Sequence, residues 1–107
     1  MSLRRDVRYQ VQCPVEFVLD GKAGHGTAFN LSRGGCALET DMFAAVDDPV
    51  SLHITVSNQP TPIVIELGKI RWATKREFGV EFMVVENVSK RRLDDFLLIV
   101  AKNKVSS

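Results

Sequence analysis

The sequence has no long hydrophobic run. Its longest apolar stretches, such as 63–65 and 96–101, are far shorter than the roughly 18 residues that a membrane-spanning helix needs. The arginines near the N-terminus are not followed by an apolar segment, as they would be in a secretion signal. We therefore expect a cytoplasmic protein that does not insert into membranes.

Reactive side chains are also scarce. His25 lies between glycines in a predicted turn and His53 on the polar face of a predicted strand, with no serine, cysteine or carboxylate in catalytic spacing around them. Cys13 and Cys36 lack CxxC spacing and have no histidine nearby to complete a metal set. The sequence has no P-loop and no GxGxxG. We expect a protein that is not an enzyme, with no cofactor or metal and with two reduced, buried cysteines.

The net charge of +1 lacks the strong basic excess of general nucleic-acid binders, so we expect no DNA binding. Positive charge is local, at Arg4, Arg5 and Arg8 and again at 90–92. A length of 107 residues, 45% of them apolar, suffices for one hydrophobic core but not for two. The chain is therefore expected to form a single domain.

Alternating apolar residues predict a series of short strands. The longest alternation runs over 7–17, and Asp20-Gly21 predicts a hairpin turn after it. Further strands are predicted at 27–30, 36–39, 50–56, 63–74 and 78–82. Pro14 predicts an edge position or a bulge, since proline cannot donate to a sheet ladder. At Gly68 the apolar phase slips by one residue, which predicts a bulge or bend.

Only the tail has helical periodicity, with apolar residues at Leu93, Phe96, Leu97 and Val100 and with an N-cap predicted at position 87 or 89. Strands followed by one amphipathic helix predict an all-β fold: a small antiparallel barrel at 9–84, closed to hide its edges, with a helix at 88–103 over an open end. Residues 1–8 are expected to form a flexible, arginine-bearing segment.

Two polar motifs interrupt this pattern. Arg4, Arg5 and Arg8 precede the first strand, where the strand itself has no need of them. A guanidinium group matches two acceptors at once, either phosphate oxygens or the O6 and N7 atoms of guanine. Taken alone, a charged N-terminal segment of this kind is more often just solvated.

The second motif is N-L-S-R-G-G at 30–35. Asn30 offers a donor and an acceptor, Ser32 a hydroxyl, and Gly34 and Gly35 permit positive φ, so that backbone N–H groups can converge on an anion. A plain turn between strands is the alternative. Since both motifs adjoin strand ends, we expect them at one rim of the barrel.

R-R-D-V-R at 4–8, C-P-V at 13–15, N-L-S-R-G-G at 30–35, G-K-I-R-W at 68–72, G-V-E-F at 79–82 and the closing helix together resemble the PilZ domain along nearly the whole chain. The two binding motifs of that family, RxxxR and [DN]xSxxG, are both complete here. The resemblance implies a six-stranded antiparallel barrel with a C-terminal helix. It also implies a bacterial receptor for cyclic di-GMP, a second messenger with two guanines and two phosphates.

Transferred by motif position, the resemblance makes Arg4 and Arg8 the main cationic contacts and Arg5 a helper. It assigns the base to the 30–35 loop, where Asn30 and Ser32 would bond it, Gly35 would leave room for it, and Arg33 and Gly34 would complete the site. Asn30 stands where many members have aspartate. Leu3 precedes the arginine motif where another arginine would favour a second ligand, so one ligand per chain is expected.

Trp72 has two interpretations, a core aromatic or a residue that flanks the site, and we expect the core. Two alternatives to a nucleotide receptor with a protein partner remain. One is an interaction module of PilZ fold that no longer binds nucleotide, and the other is an RNA-binding barrel. The second is disfavoured because most aromatics, including Phe17, Phe78, Phe82 and Phe96, fall on apolar phases.

Overall fold

A computed structural model of the chain describes residues 7 to 106. Arg4 and Arg5 lie outside these residues, as does most of the predicted arginine-bearing segment. The described elements are six strands and one helix: β1 (Tyr9–Leu19), β2 (Lys22–Leu31), β3 (Gly35–Glu39), β4 (Pro49–Ile54), β5 (Ile63–Ala73), β6 (Glu77–Val84) and α1 (Asn87–Ser106).

The strands form a closed antiparallel barrel in the order β1-β2-β3-β6-β5-β4. Pairing of β1 with β4, from Val15 with Ile54 to Leu19 with Val50, closes it. Closure leaves no long row of unpaired backbone groups at a sheet edge. The predicted fold class, a six-stranded antiparallel barrel followed by a helix, is confirmed.

The first strand shows how alternation builds this barrel. Val15, Phe17 and Leu19 are buried inside, while the residues between them are exposed. Pro14 is not on an edge strand, because the barrel is closed. It lies just outside the ladder between β1 and β4, which runs from Val15 to Leu19. Its carbonyl accepts a hydrogen bond from Thr55 N at 2.9 Å. The register shift lies just before it, between Gln10 and Cys13.

The hairpin between β1 and β2 is formed as predicted. Asp20 and Gly21 have φ of 51° and 81°. Positive φ at both central residues defines the type I′ turn, whose twist matches that of the two strands that it joins.

Strand β5 is irregular at two places. Register shifts lie next to Gly68 in its pairing with both β4 and β6, so the predicted bulge is confirmed. A second shift, between Ile70 and Trp72, was not predicted; it turns both Arg71 and Trp72 outward. Trp72 is 41% exposed, so the expectation of a core position was wrong.

The helix covers the barrel with the predicted face, since Leu93, Phe96 and Leu97 belong to the core cluster. Burial of such side chains contributes about 1.5–3 kcal/mol each. The helix begins at Asn87, one of the two predicted cap positions, and contacts β5 and β1. In the described part of the chain, no helix has the length and apolarity needed to cross a membrane.

Both cysteines are free and buried, as predicted. Burial raises the pKa of the Cys36 thiol to about 12, although the positive charge of Arg8 acts in the opposite direction. Burial also raises the pKa of Cys13. These thiols are therefore part of the apolar interior, and Arg8 lies near enough to β3 for its charge to act there.

Candidate functional site

Arg8 and Asn30 bring the two polar motifs together. Arg8 Nη1 donates to Asn30 Oδ1 at 2.8 Å, although the two residues are 22 positions apart in the chain. The register explains this contact, because Tyr9 pairs with Leu31 and Gln10 with Asn30, so the chain enters β1 beside the end of β2. The expectation of a shared location is confirmed for these two residues, while Arg4 and Arg5 lie outside the described part.

Ser32 shapes the loop between β2 and β3. Its hydroxyl donates to the Gly35 carbonyl at 3.2 Å and accepts from Gly34 N at 3.2 Å. Its backbone N–H also donates to the Gly35 carbonyl, at 2.9 Å. The residue is 1% exposed, so the hydroxyl is engaged inside the loop. Direct contact between Ser32 and a ligand stays a prediction.

The two glycines of the loop do not use the positive φ that glycine permits. Among the described glycines only Gly21 has positive φ. A Cβ at Gly35 would overlap the carbonyl oxygen of Val80. Glycine is required here because β3 and β6 approach closely, whether or not a base also needs the space.

Arg33 extends toward the helix. Its Nε lies 2.9 Å from Asp94 Oδ1, and the two side chains are 70% and 43% exposed. An ion pair so exposed contributes at most about 1 kcal/mol. The ion pair nevertheless connects the loop directly to α1. A ligand contact by Arg33 stays a prediction.

A row of residues crosses the outer face of the barrel at the level of Asn30. Asn30 on β2 pairs with Ala37 on β3, Ala37 with Gly79 on β6, and Gly79 with Trp72 on β5. We name these four residues the platform. Directly paired residues point to the same face, about 4.5–5.5 Å apart. The platform thus has a floor of small residues between Arg8 and Asn30 on one side and an aromatic ring on the other.

Trp72 lies against this floor. A Cβ at Gly79 would overlap the indole ring, so glycine there allows the tryptophan to lie flat against β6. Ala37 faces outward and is nevertheless only 2% exposed. Ala37 and Gly79 are thus covered by their neighbours, and the surface that a planar base can reach is the half-exposed indole, which offers a face for stacking.

An ion pair adjoins the platform on the β5–β6 side. Arg71 Nε lies 3.1 Å from Glu81 Oε1, and Arg71 Nη1 lies 4.0 Å from Asp47 Oδ1. Glu81 pairs directly with Gly35, the last residue of the second motif. Strand alternation places Glu81 outward, because Phe78 and Val80 point inward. The sequence pattern nevertheless did not identify Glu81 as a candidate site residue.

A family model described as the PilZ domain matches residues 2–98. Among curated proteins, the search found no match. This family model does not indicate an enzyme family.

Several solved structures share the fold. The Bacillus subtilis inhibitor of motility (MotI/DgrA) has a TM-score of 0.78 and 16% identity, with all of this chain and 54% of that chain covered. The PilZ domain of YcgR from Escherichia coli, with c-di-GMP, has a TM-score of 0.76 and 10% identity over 96% of this chain and 95% of that one. MrkH of K. pneumonia in its c-di-GMP complex has a TM-score of 0.70 and 18% identity, with 100% of this chain and 57% of that chain covered.

This chain thus spans about half the length of the MotI and MrkH chains, and identities this low show a common fold and nothing finer. The family model, in contrast, extends from residue 2 into the helix. The chain belongs to the PilZ domain family.

Proposed function

We propose that this chain is a bacterial receptor for cyclic di-GMP and binds it on the platform. The observation that carries the proposal is the hydrogen bond from Arg8 to Asn30, which places one member of each binding motif at the same edge of one face. Two solved structures of the same fold contain c-di-GMP, which supports the ligand class.

In this proposal Arg8 exchanges its bond with Asn30 for a phosphate of the ligand. The exchange is inexpensive because the Arg8–Asn30 contact is solvent-exposed and because a bidentate guanidinium–phosphate contact is stronger than a bond to a neutral amide. Arg4 and Arg5 would add further contacts to the phosphates. Asn30, released from Arg8, is then free to bond a guanine.

The loop 30–35 contributes shape as much as contacts. Ser32 is committed to bonds within the loop, so we assign it the role of holding Gly34 and Gly35 in place beneath the base. Trp72 flanks the opposite side of the floor and is placed to stack on a base. Binding uses neither catalysis nor a cofactor in this proposal.

The output would be a changed surface that a protein partner recognises. Arg33 joins the ligand loop to Asp94 of α1, so a ligand that engages Arg33 would alter this connection. As a receptor for a second messenger, the protein would act in the cytoplasm.

The test is isothermal titration with cyclic di-GMP, with GTP as the control nucleotide. Trp72 is the single tryptophan of the chain, so its fluorescence reports binding at the platform independently of heat. We expect saturable heat and a matching fluorescence change with cyclic di-GMP and neither with GTP. Absence of both signals would favour the alternative, an interaction module that does not bind nucleotide.

A further inference from the structure

Glu81 is a carboxylate on the face that we assign to a ligand with two negative phosphates. A carboxylate at this position repels phosphate, although Arg71 and the directly paired Lys69 on β5 offset part of its charge. Glu81 pairs with Gly35 across the β3–β6 ladder and shares the outer face with Gly79, two residues earlier on its strand. It therefore adjoins both the loop that would receive a base and the floor of the platform.

Asn30 cannot accept both hydrogen bonds that a guanine base donates, whereas a carboxylate such as Glu81 can. The Watson–Crick edge of guanine presents two adjacent donors, N1–H and the exocyclic amino group, and a carboxylate accepts both with its two oxygens. A neutral asparagine has one acceptor oxygen, so Asn30 can accept from only one of the two donors even after Arg8 has released it. Asn30 therefore matches the two donors of guanine poorly.

Arg71 orients the Glu81 side chain through an ion pair in which the two side chains are 54% and 48% exposed. Its Nε contacts one carboxylate oxygen at 3.1 Å, and Asp47 lies on the other side of the same guanidinium. The bulge in β5 turns Arg71 and Trp72 outward together, so that Arg71 lies next to the tryptophan of the platform. A long side chain held at one end in this way loses less rotamer entropy when it binds a ligand.

We propose that Glu81, held by Arg71, accepts hydrogen bonds from N1–H and the amino group of a guanine above Gly35, and so selects guanine over adenine. The inference rests on the proposed function, because it names the group that reads the base at the same site. Glu81 acts by direct contact, and Arg71 is a positioning residue.

The test compares cyclic di-GMP with cyclic di-AMP on the unaltered protein and on Glu81→Gln. Adenine presents one donor and one acceptor at the corresponding edge, which glutamine matches and a carboxylate does not. We expect Glu81→Gln to weaken cyclic di-GMP binding about tenfold or more and to reduce the preference for it over cyclic di-AMP. Arg71→Ala should lower the preference in the same direction by a smaller factor.

Glu77→Gln is the matched control. Glu77 lies on the same strand and face as Glu81 but pairs with Glu39, away from Gly35. The Glu77→Gln variant should therefore bind cyclic di-GMP, and prefer it over cyclic di-AMP, as the unaltered protein does. Unchanged or tighter binding of cyclic di-GMP by Glu81→Gln, with a normal melting temperature, would overturn this inference and leave the proposed function standing. No binding by the unaltered protein would overturn both.

Discussion

At the scale of single residues, Arg8 connects the two motifs through its hydrogen bond to Asn30. It is exposed, precedes β1, and makes its described side-chain bond to Asn30. Its removal therefore subtracts a cation from the face without removing anything from the core. This separation of binding from stability is what a ligand contact requires and a structural residue lacks.

We predict that Arg8→Ala weakens cyclic di-GMP binding by about 1.5 kcal/mol or more, a typical value for the loss of a charge-assisted contact. The melting temperature should change little. Titration calorimetry and thermal unfolding measure the two effects. Lys102→Ala, which removes the same charge at an exposed position of α1, serves as the control and should bind normally. Unchanged affinity in Arg8→Ala would remove Arg8 from the site.

Gly35 has a structural reason to be glycine that the sequence did not reveal. The motif suggested space for a base, but the backbone of β6 already occupies the direction in which a side chain would extend. Substitution at this position therefore acts first on the fold.

We predict that Gly35→Ala lowers the free energy of unfolding by about 1–3 kcal/mol, the usual range for an overpacked position. Urea unfolding without ligand measures it. Gly21→Asn is the comparison, because asparagine tolerates the positive φ of the hairpin turn and should cost little. A Gly35→Ala protein of normal stability would contradict the strand-packing argument, and its affinity for nucleotide would then test the space argument alone.

At the scale of whole elements, Arg92 fastens α1 to the loop between β4 and β5. Its Nε donates to Gln59 Oε1 at 2.6 Å, its Nη1 donates to the Pro62 carbonyl at 3.0 Å, and its Nη2 donates to the Thr61 carbonyl. Gln59 returns a bond from its amide nitrogen to the Arg92 carbonyl at 3.0 Å. One planar guanidinium thus satisfies several acceptors of a loop that has no strand partner of its own.

We predict that Arg92→Lys destabilises the protein by about 1.5–3 kcal/mol, because an ammonium group cannot form the guanidinium fork and a bond to a charged group is lost. Hydrogen exchange should increase in α1 and in the 57–62 loop while the other strands stay protected. The neighbouring Arg91→Ala, on the exposed side of the helix, should leave both measurements unchanged. Equal protection in Arg92→Lys would mean that the apolar face alone holds the helix.

The strands and the helix were predictable because their side chains repeat with one period over many residues. Leu93, Phe96 and Leu97 lie inward as their spacing required. Trp72 was placed wrongly because one extra residue at Arg71 inverts the phase, and neither residue type signals a bulge. For Gly68, in contrast, both the glycine and the visible phase slip marked the irregularity.

The candidate site was predictable only in part. The motifs identified Arg8 and Asn30, which do meet, but the role of Ser32 inside its loop depends on hydrogen bonds that no spacing shows. Arg33 turned out to lie beside Asp94, on an element 61 positions later in the chain. Ala37 and Gly79 became part of a face only through strand register, which a single sequence does not state.

At the scale of the whole molecule, the platform joins strands that are distant in the chain. Its residues come from β2, β3, β6 and β5, and Arg8 adds the beginning of β1. A ligand can bind there only when the barrel is folded, since the unfolded chain has no such face. Nucleotide binding and global stability are therefore linked by mass action.

We predict one cyclic di-GMP per chain, because Leu3 supplies no additional cation for a second dianion. We also predict a melting temperature that rises with the concentration of cyclic di-GMP, because the ligand binds only the folded state. At 100 times the dissociation constant, the stabilisation should be about 2.7 kcal/mol. Calorimetric stoichiometry and thermal unfolding at increasing ligand test the two statements. Saturation at two ligands would show that position 3 does not limit the number, and Leu3→Arg is the variant expected to reach two.

Closure of the barrel also has a kinetic consequence. The pairings of β1 with β4 and of β3 with β6 join segments separated by long stretches of chain, and their loop-closure entropy must be overcome before the contacts form. The floor between Asn30 and Trp72 is complete only after β3 has met β6. A nucleotide that recognises this floor can bind only after that pairing has formed, so we expect it to slow unfolding and to leave the refolding rate unchanged.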